Sequence, residues 1–425
     1  MSNNNSNPIT KIGTGTYSEV YYMVDDGQQL AVKIYKQKIT NGLPDDFIKD
    51  YVVYHQYSPI GVEDVEIKGN HVYLVMPYYG NNLVNIHEKL NIMDLKNVFF
   101  SVLQQLRYLH MENIMHRDIK SENILFNDGV QAMLIDYSIA LFTPQNNASY
   151  SVYTEWYRPP EVCNKQSYDK SADIWALGMV MLENLCNSVI LPYTGAKRIN
   201  EMDIFYSQLD SFKLNSCTNR INRYIKLLRT ALSRNATMVE LIYRMITKNP
   251  TERLSAKECL KHHFFESKLS ITPTKHFITP KFIVLHNQLD KYISTILYKI
   301  LISDNKMLIK LVVNSLYILF ALRTDPTNDM FDVSVNLSSK LLCDNYCNVT
   351  RLPKSNTELE LEILTKLKGK IRLECKPIDY YQYLLNPSYW NTHESRDIIT
   401  LQRECVKYPG MKAAMEILLK NEKLT

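Results

Sequence analysis

Apolar and polar positions follow two different rhythms along this chain. Between residues 8 and 80, short runs at Thr10–Ile12, Val20–Met23, Leu30–Ile34 and Tyr73–Met76 carry the β-branched and aromatic residues that strands favour. One helical pattern interrupts them, Asp45 to Tyr57, with Phe47, Ile48, Tyr51, Val52 and His55 on one side. From Met93 the spacing turns mostly helical. Val98, Val102, Leu103, Leu106 and Leu109 mark a helix over Met93–His110, and further helices follow through Phe265. Ser267–Pro280 has two prolines and no periodicity, which predicts a linker. Beyond it the pattern is helical again, over Lys281–Leu301, Met307–Leu322, Asp329–Cys343, Asn356–Leu367 and Ile398–Lys420. The predicted layout is α+β. A disordered tail (1–7) precedes a domain over 8–266 with a small β-rich lobe and a larger helical lobe, then a linker (267–280) and an all-α domain (281–425).

Composition narrows the classes. The chain has 425 residues, 45% apolar and 22% charged, enough for two or three compact domains with real cores. A net charge of +5 without a basic tail argues against nucleic acid as a partner. Eight cysteines show no metal-like pattern: Cys343 and Cys347 form a lone pair, so reduced thiols in an intracellular protein are expected. The polar start MSNNNSN lacks a signal core and a glycine at position 2. The most apolar run, Leu311–Leu322, spans 12 residues, too short for a bilayer helix. A soluble protein with no membrane partner is expected, in the cytoplasm or the nucleus.

Two constellations carry chemistry. Gly13-Thr14-Gly15-Thr16-Tyr17-Ser18-Glu19-Val20 lies between two predicted strands and is followed by Leu30-Ala31-Val32-Lys33. Glycines there let backbone N–H groups approach phosphate oxygens, and the lysine can neutralise phosphate charge. The second is more specific. His116-Arg117-Asp118-Ile119-Lys120-Ser121-Glu122-Asn123 is followed 13 residues on by Asp136-Tyr137-Ser138. Pro159-Pro160-Glu161, Asp173-Ile174-Trp175-Ala176-Leu177-Gly178 and Arg253 come after it, in that order. Phosphoryl transfer needs a carboxylate near the attacking hydroxyl, oxygen ligands for Mg2+ and cations against the phosphates. This ordered set supplies each part.

On these motifs, Lys11–Phe265 resembles a eukaryotic protein kinase domain, which implies the two-lobed kinase fold, ATP, Mg2+ and protein substrates. By that resemblance Asp118 accepts the substrate proton, Lys120 contacts the γ-phosphate, and Lys33 contacts the α- and β-phosphates, paired with Asp50. Asn123 and Asp136 match the metal ligands. Ile12, Gly13 to Val20, Ala31, the gatekeeper Met76 and the hinge residue Tyr79 match the ATP-binding set. Glu161, Arg253 and Asp173 match scaffold positions.

The subgroup is similar to the cyclin-dependent kinases. GLPDDFIKD (Gly42–Asp50) aligns without gaps with their GVPSTAIRE, Gly13–Tyr17 with their GEGTY, and VYTEWYR (Val152–Arg158) with their VVTLWYR. Thr16 and Tyr17 then occupy regulatory positions, and Ser149 aligns with the phosphorylated loop residue. Three departures stand out. Asp50 replaces the family glutamate and is shorter by about 1.5 Å, so its pair with Lys33 must close by a helix shift or a water. Ser138 replaces a glycine, which removes easy access to positive φ and implies a loop held more firmly in one state. Lys49, Arg117 and Leu141 stand where the family gathers three arginines, so loop phosphorylation is expected to matter less.

In the C-terminal third, Phe331–Lys340, Glu360–Leu367 and Pro377–Leu384 are similar to successive pieces of the cyclin box. That resemblance implies an activator in cis, with Lys340 and Glu360 gripping backbone groups at the start of the helix that carries Asp50. The rival readings are a pseudokinase scaffold, motivated by Asp50 and Ser138, and a docking module for a separate regulator.

Overall fold

The computed structural model describes residues 9–39, 42–127, 131–142, 149–187, 223–268, 327–342 and 356–367, with Leu311, Ser315, Ile318 and Leu319. A five-stranded antiparallel sheet opens the chain: β1 (Thr10–Thr14), β2 (Ser18–Asp25), β3 (Gln28–Tyr35), β4 (Asp64–Lys68) and β5 (His71–Pro77), in the order β1-β2-β3-β5-β4. Asp26 and Gly27 both take positive φ, 44° and 80°, which suits a two-residue hairpin between twisted strands. Helix α1 (Asp45–Gln56) packs on this sheet with Phe47, Ile48, Val52 and Val53 fully buried. β4 alternates correctly, yet with Asp64, Glu66 and Lys68 on one face it carries few strand-forming residues.

The second lobe is helical. After α2 (Leu83–Ile86), the long α3 (Ile92–Met111) starts at a capping box in which Asn91 and Asp94 satisfy each other's backbone N–H groups. A small sheet of β6 (Asn81–Asn82), β7 (Ile124–Asn127) and β8 (Gln131–Leu134) lies against α3. Gln105 on α3 donates to the Ala132 carbonyl (2.8 Å) and accepts from Leu134 N–H (3.0 Å), which pins β8 in place. Short α4 (Pro160–Cys163) leads to α5 (Ser171–Cys186), the buried centre of the lobe around Trp175. α6 (Arg223–Arg234), α7 (Ala236–Met245) and α8 (Ala256–Cys259) complete it. A β-sheet lobe followed by a helical lobe is thus the architecture, with the polar segments 116–123 and 135–138 emerging between them.

Two further helices, α9 (Asn328–Leu342) and α10 (Thr357–Lys366), pack on each other, and α9 packs on α1. Their limits fall within a residue of the predicted Asp329–Cys343 and Asn356–Leu367. Leu311, Ser315, Ile318 and Leu319, inside the predicted Met307–Leu322 helix, are buried; Ser315 donates to Leu311 O at 2.7 Å, and its Oγ lies 3.2 Å from Ser338 Oγ. The tail 1–7, the linker from 269, the helices predicted at 281–301 and 398–420, Pro377–Leu384, and the Cys343/Cys347 pair lie outside the described residues. Among the described residues, no helix is long and apolar enough to cross a membrane.

Candidate active site

The loop from His116 to Asn123 is held by a fully buried carboxylate beneath it. Asp173 accepts the backbone N–H groups of His116 (2.8 Å) and Arg117 (3.0 Å), the Tyr153 hydroxyl (3.0 Å) and His110 Nε2 (3.0 Å). Burial opposes ionisation of Asp173, but these hydrogen bonds, His110's foremost, hold its carboxyl below the usual range. Arg117 sits at φ +68°, a strained conformation that two captured N–H groups over-determine. His116, whose pKa burial lowers, bonds Ile135 O through Nε2 (3.0 Å) and receives Asp118 N–H at Nδ1 (3.2 Å).

The result is a carboxylate aimed by four side-chain and backbone donors. Asp118 Oδ1 accepts from Thr154 Oγ1 (2.7 Å) and Thr154 N–H (3.3 Å); Oδ2 accepts from Lys120 Nζ (2.8 Å) and Asn123 Nδ2 (3.1 Å). Lys120 also reaches Thr154 Oγ1 at 3.4 Å. Burial works against the Lys120 charge, but Asp118 outweighs it and raises the pKa. Thr154 is a residue of this site that motif matching alone did not mark.

Across the cleft, Lys33 on β3 lies between two carboxylates, Asp50 Oδ2 at 2.6 Å and Asp136 Oδ1 at 2.7 Å. Burial would strip its proton, yet Asp136 and Asp50 hold its pKa well above the ordinary value. Asp136 is likewise kept far below the usual carboxylate range, despite burial, by Lys33. Asp50 goes the other way: complete burial outweighs Lys33 and raises its pKa. The Lys33–Asp50 contact is direct, so the pair closes without the water that was one of the two routes expected. Asp50 also accepts Tyr137 N–H at Oδ1 (2.7 Å) and the Tyr35 hydroxyl at Oδ2 (2.7 Å). The positive φ in this turn belongs to Asp136 (+65°), while Ser138 stays outside that region and donates Oγ–H to Asp136 Oδ1 at 2.7 Å.

The glycine segment forms the β1–β2 hairpin, where Gly13 pairs with Val20 and Thr14 with Glu19. Gly15 N–H bonds Ser18 O at 2.8 Å, and Lys36 Nζ reaches Gly15 O at 2.6 Å. Neither glycine has positive φ, and a Cβ at Gly15 would meet only the Ser18 carbonyl, at 3.7 Å. The space above Gly15 is therefore open to a ligand. Ile12, Thr16 and Tyr17 are exposed on this hairpin, whereas Ser18 is buried and Ala31 faces Met76 across β3–β5. Tyr79, beyond the end of β5, bonds Gln131 O through its hydroxyl at 3.0 Å. The cleft brings Gly15–Ser18 together with Asp118, Lys120, Asp136, Ser138 and Val152–Glu155. Ser149 is apart from the reacting groups: Tyr168 donates to its carbonyl (2.6 Å) and accepts from Arg117 Nη1 (3.2 Å). Arg117 Nε is meanwhile fixed on Ile139 O at 2.8 Å, and Leu141 is buried against Met115.

At the entrance of α1, Lys340 and Glu360 form an ion pair (2.9 Å) with no exposed surface on either side chain. Lys340 Nζ donates to Leu43 O (2.8 Å), and Glu360 Oε2 accepts Leu43 N–H (2.5 Å). Gly42, at φ +81°, must be glycine here, because a Cβ would lie 2.6–2.7 Å from the Glu360 and Lys340 head groups. Outside the cleft, Glu161 and Arg253 make a buried bidentate pair at 2.6 and 2.7 Å. Glu240, His262 and His263 also bring three ligand atoms within 4.8 Å of one another. Phe264 N–H donates to His262 Nδ1 at 3.3 Å.

Compared with known proteins, residues 7–265 match the protein kinase domain. The chain belongs to the protein kinase family. It is 25% identical over 289 residues to "CTD kinase subunit alpha" of Schizosaccharomyces pombe, covering 61% of this chain and 48% of that protein. Over 284 residues it is 26% identical to "Probable CTD kinase subunit alpha homolog" of Encephalitozoon cuniculi, covering 61% and 83% respectively. "Cyclin-dependent kinase C-3" of rice is 28% identical over 300 residues, covering 61% of this chain and 91% of its own. These relatives place the kinase in the cyclin-dependent group. As a family member it uses ATP and Mg2+. The cleft fits that metal. With Asp136 Oδ1 engaged by Lys33 and Ser138, and the Asn123 amide nitrogen by Asp118, the donors that remain are hard oxygens, Asp136 Oδ2 and Asn123 Oδ1.

Proposed function

We propose that this chain is a serine/threonine protein kinase that moves the γ-phosphate of ATP to protein hydroxyls and carries its own cyclin-like activator in helices α9 and α10. One observation carries the chemistry. Asp118, aimed by Thr154, Lys120 and Asn123, shares a cleft with Asp136, which Lys33 pairs from its buried side. Asp118 orients the substrate hydroxyl and takes its proton as the new O–P bond forms and the bond to the ADP oxygen breaks. Lys33 and Lys120 offset the phosphate charge. Mg2+, held by Asp136 and Asn123, would neutralise the β- and γ-phosphate oxygens. The open hairpin from Ile12 to Val20 offers backbone N–H groups to the phosphates, with Ala31, Met76 and Tyr79 toward the base.

Substrate choice is read from the segment beside Asp118. Tyr153 is left-handed (φ +62°), and Arg158 takes the Val152 carbonyl (2.9 Å) and the Tyr153 carbonyl (3.0 Å). With those acceptors occupied, a substrate N–H following the target residue loses its partner. Proline has none to satisfy, so a Ser-Pro or Thr-Pro sequence is favoured.

The cyclin-like part rests on the Leu43 clamp. Lys340 and Glu360 are fully buried and hold both backbone groups of Leu43, which fixes the entry angle of α1 and hence the place of Asp50. A tethered activator acts at an effective concentration of roughly millimolar, so a weak interface stays occupied. The test is full-length protein with MgATP, compared with Asp118→Asn. Label on serine or threonine from the parent and a loss of ~10²–10⁴-fold in the variant are expected. Protein that holds MgATP but labels no hydroxyl overturns the reading in favour of a scaffold.

A further inference from the structure

The shortened carboxylate at position 50 raises the question of what keeps it within reach of Lys33. Lys33 and Tyr35 are two residues apart on β3, so both project from one face of the strand toward α1. The Tyr35 hydroxyl donates to Asp50 Oδ2 at 2.7 Å, the same oxygen that Lys33 binds. Its ring meets Phe47 of α1 edge-on, with centroids 5.4 Å apart and planes at 81°. The Lys33 ammonium lies 5.5 Å from that ring's centre, in cation–π range. Tyr35 has no exposed surface, and burial raises the pKa of its phenol, so the group remains a donor.

We propose that Tyr35 is a positioning residue for phosphotransfer, anchoring Asp50 against β3 and supplying the reach that the shorter side chain lacks. The inference rests on the kinase reading. Lys33 stands between two carboxylates at nearly equal distances, 2.6 and 2.7 Å. If Asp50 draws back, the ammonium is left with Asp136, whose oxygens belong to the metal. Tyr35 fixes Asp50 Oδ2 from a second direction while Tyr137 N–H fixes Oδ1, so the carboxylate cannot turn away. A longer glutamate would reach Lys33 without this help and would crowd the tyrosine.

The test is Tyr35→Phe in the full-length chain, which keeps the ring packing and removes only the hydroxyl. It is read by Mg-dependent ATP turnover, so no protein substrate need be known. A fall of ~10-fold in kcat with KM for ATP within about 3-fold is expected, the scale of one hydrogen bond to a buried charge. Asp50→Glu lowers kcat alone, and adding Tyr35→Phe to it produces no further loss, because the two positions form one unit. A kcat within about 2-fold of the parent for Tyr35→Phe, or effects that multiply in the double variant, overturns the proposal. The parent's own turnover reads the kinase assignment separately. If the parent were inert, the same pair is read by denaturant unfolding, where non-additive effects support the contact and additive effects refute it.

Discussion

Helix α1 is held by two buried ion pairs, and they differ in what surrounds them. Lys33–Asp50 faces the cleft, and its lysine is shared with Asp136, whose side chain is 30% exposed. Lys340–Glu360 is fully buried on both side chains, and both also bond the Leu43 backbone. The first pair is built for an exchange of partners when phosphate and metal arrive. The second lies away from the cleft and is hydrogen-bonded to the backbone at the start of α1. A buried pair of the second sort need not add stability over an apolar pair of like volume, but breaking half of it is severe. In the function proposed above, its value lies in fixing where α1 begins and, through α1, where Asp50 ends up.

This contrast can be broken from either end. The largest effect is expected for Glu360→Ala, which strands the Lys340 charge and costs ~3–5 kcal/mol in denaturant unfolding. The double change Lys340→Met with Glu360→Leu should recover most of that stability, yet leave Leu43 ungripped and kinase activity low. Next is Lys33→Met, which should reduce kcat by ~10²–10³-fold, the scale for one preorganised electrostatic group in a closed site.

Smaller is the pH effect of Asp46, in the first turn of α1 between the two pairs. It is 7% exposed, Oδ2 has no hydrogen-bond partner, and burial followed by the Asp45 and Asp50 charges pushes its pKa up to about 7. A carboxyl whose folded pKa lies above its unfolded value stabilises the protein below the unfolded value, and that contribution fades as pH rises through the folded one. Stability should therefore fall between about pH 4 and pH 7 by this group, and Asp46→Asn should gain ~1–3 kcal/mol at pH 8 in thermal or denaturant melts. The smallest effect is expected for Ser149→Ala. Arg117 already bonds Ile139 O and Tyr168, and Tyr168 holds the Ser149 carbonyl, so activity should stay within about 3-fold in a steady-state assay.

Much of the cleft was legible because phosphoryl transfer needs its groups at fixed spacing along a loop: Asp118, Lys120, Asn123 and Asp136 could be named in order. The Lys340 and Glu360 contact with Leu43 was legible only through family resemblance, since nothing local ties residue 43 to residue 360. What sequence reasoning missed depends on distance in space. Tyr35 reads as one more buried strand residue until α1 is laid beside it. Thr154 is one hydroxyl in an activation segment until Asp118 is 2.7 Å away. Around the cleft, Arg117, Asp136 and Tyr153 are left-handed although none is glycine, and Asp173 and Arg158 hold the backbone around two of them; no composition rule signals that. β4 was lost among its charges.

The most direct measurement is phosphotransfer by purified full-length protein, supplied with MgATP and an acceptor but no second protein, in parent and Lys340→Met/Glu360→Leu forms of equal thermal stability. The account predicts robust labelling by the parent and a drop of about 10-fold or more in the double variant. A parent that stays silent until another protein is added, or two forms that label equally, would contradict it.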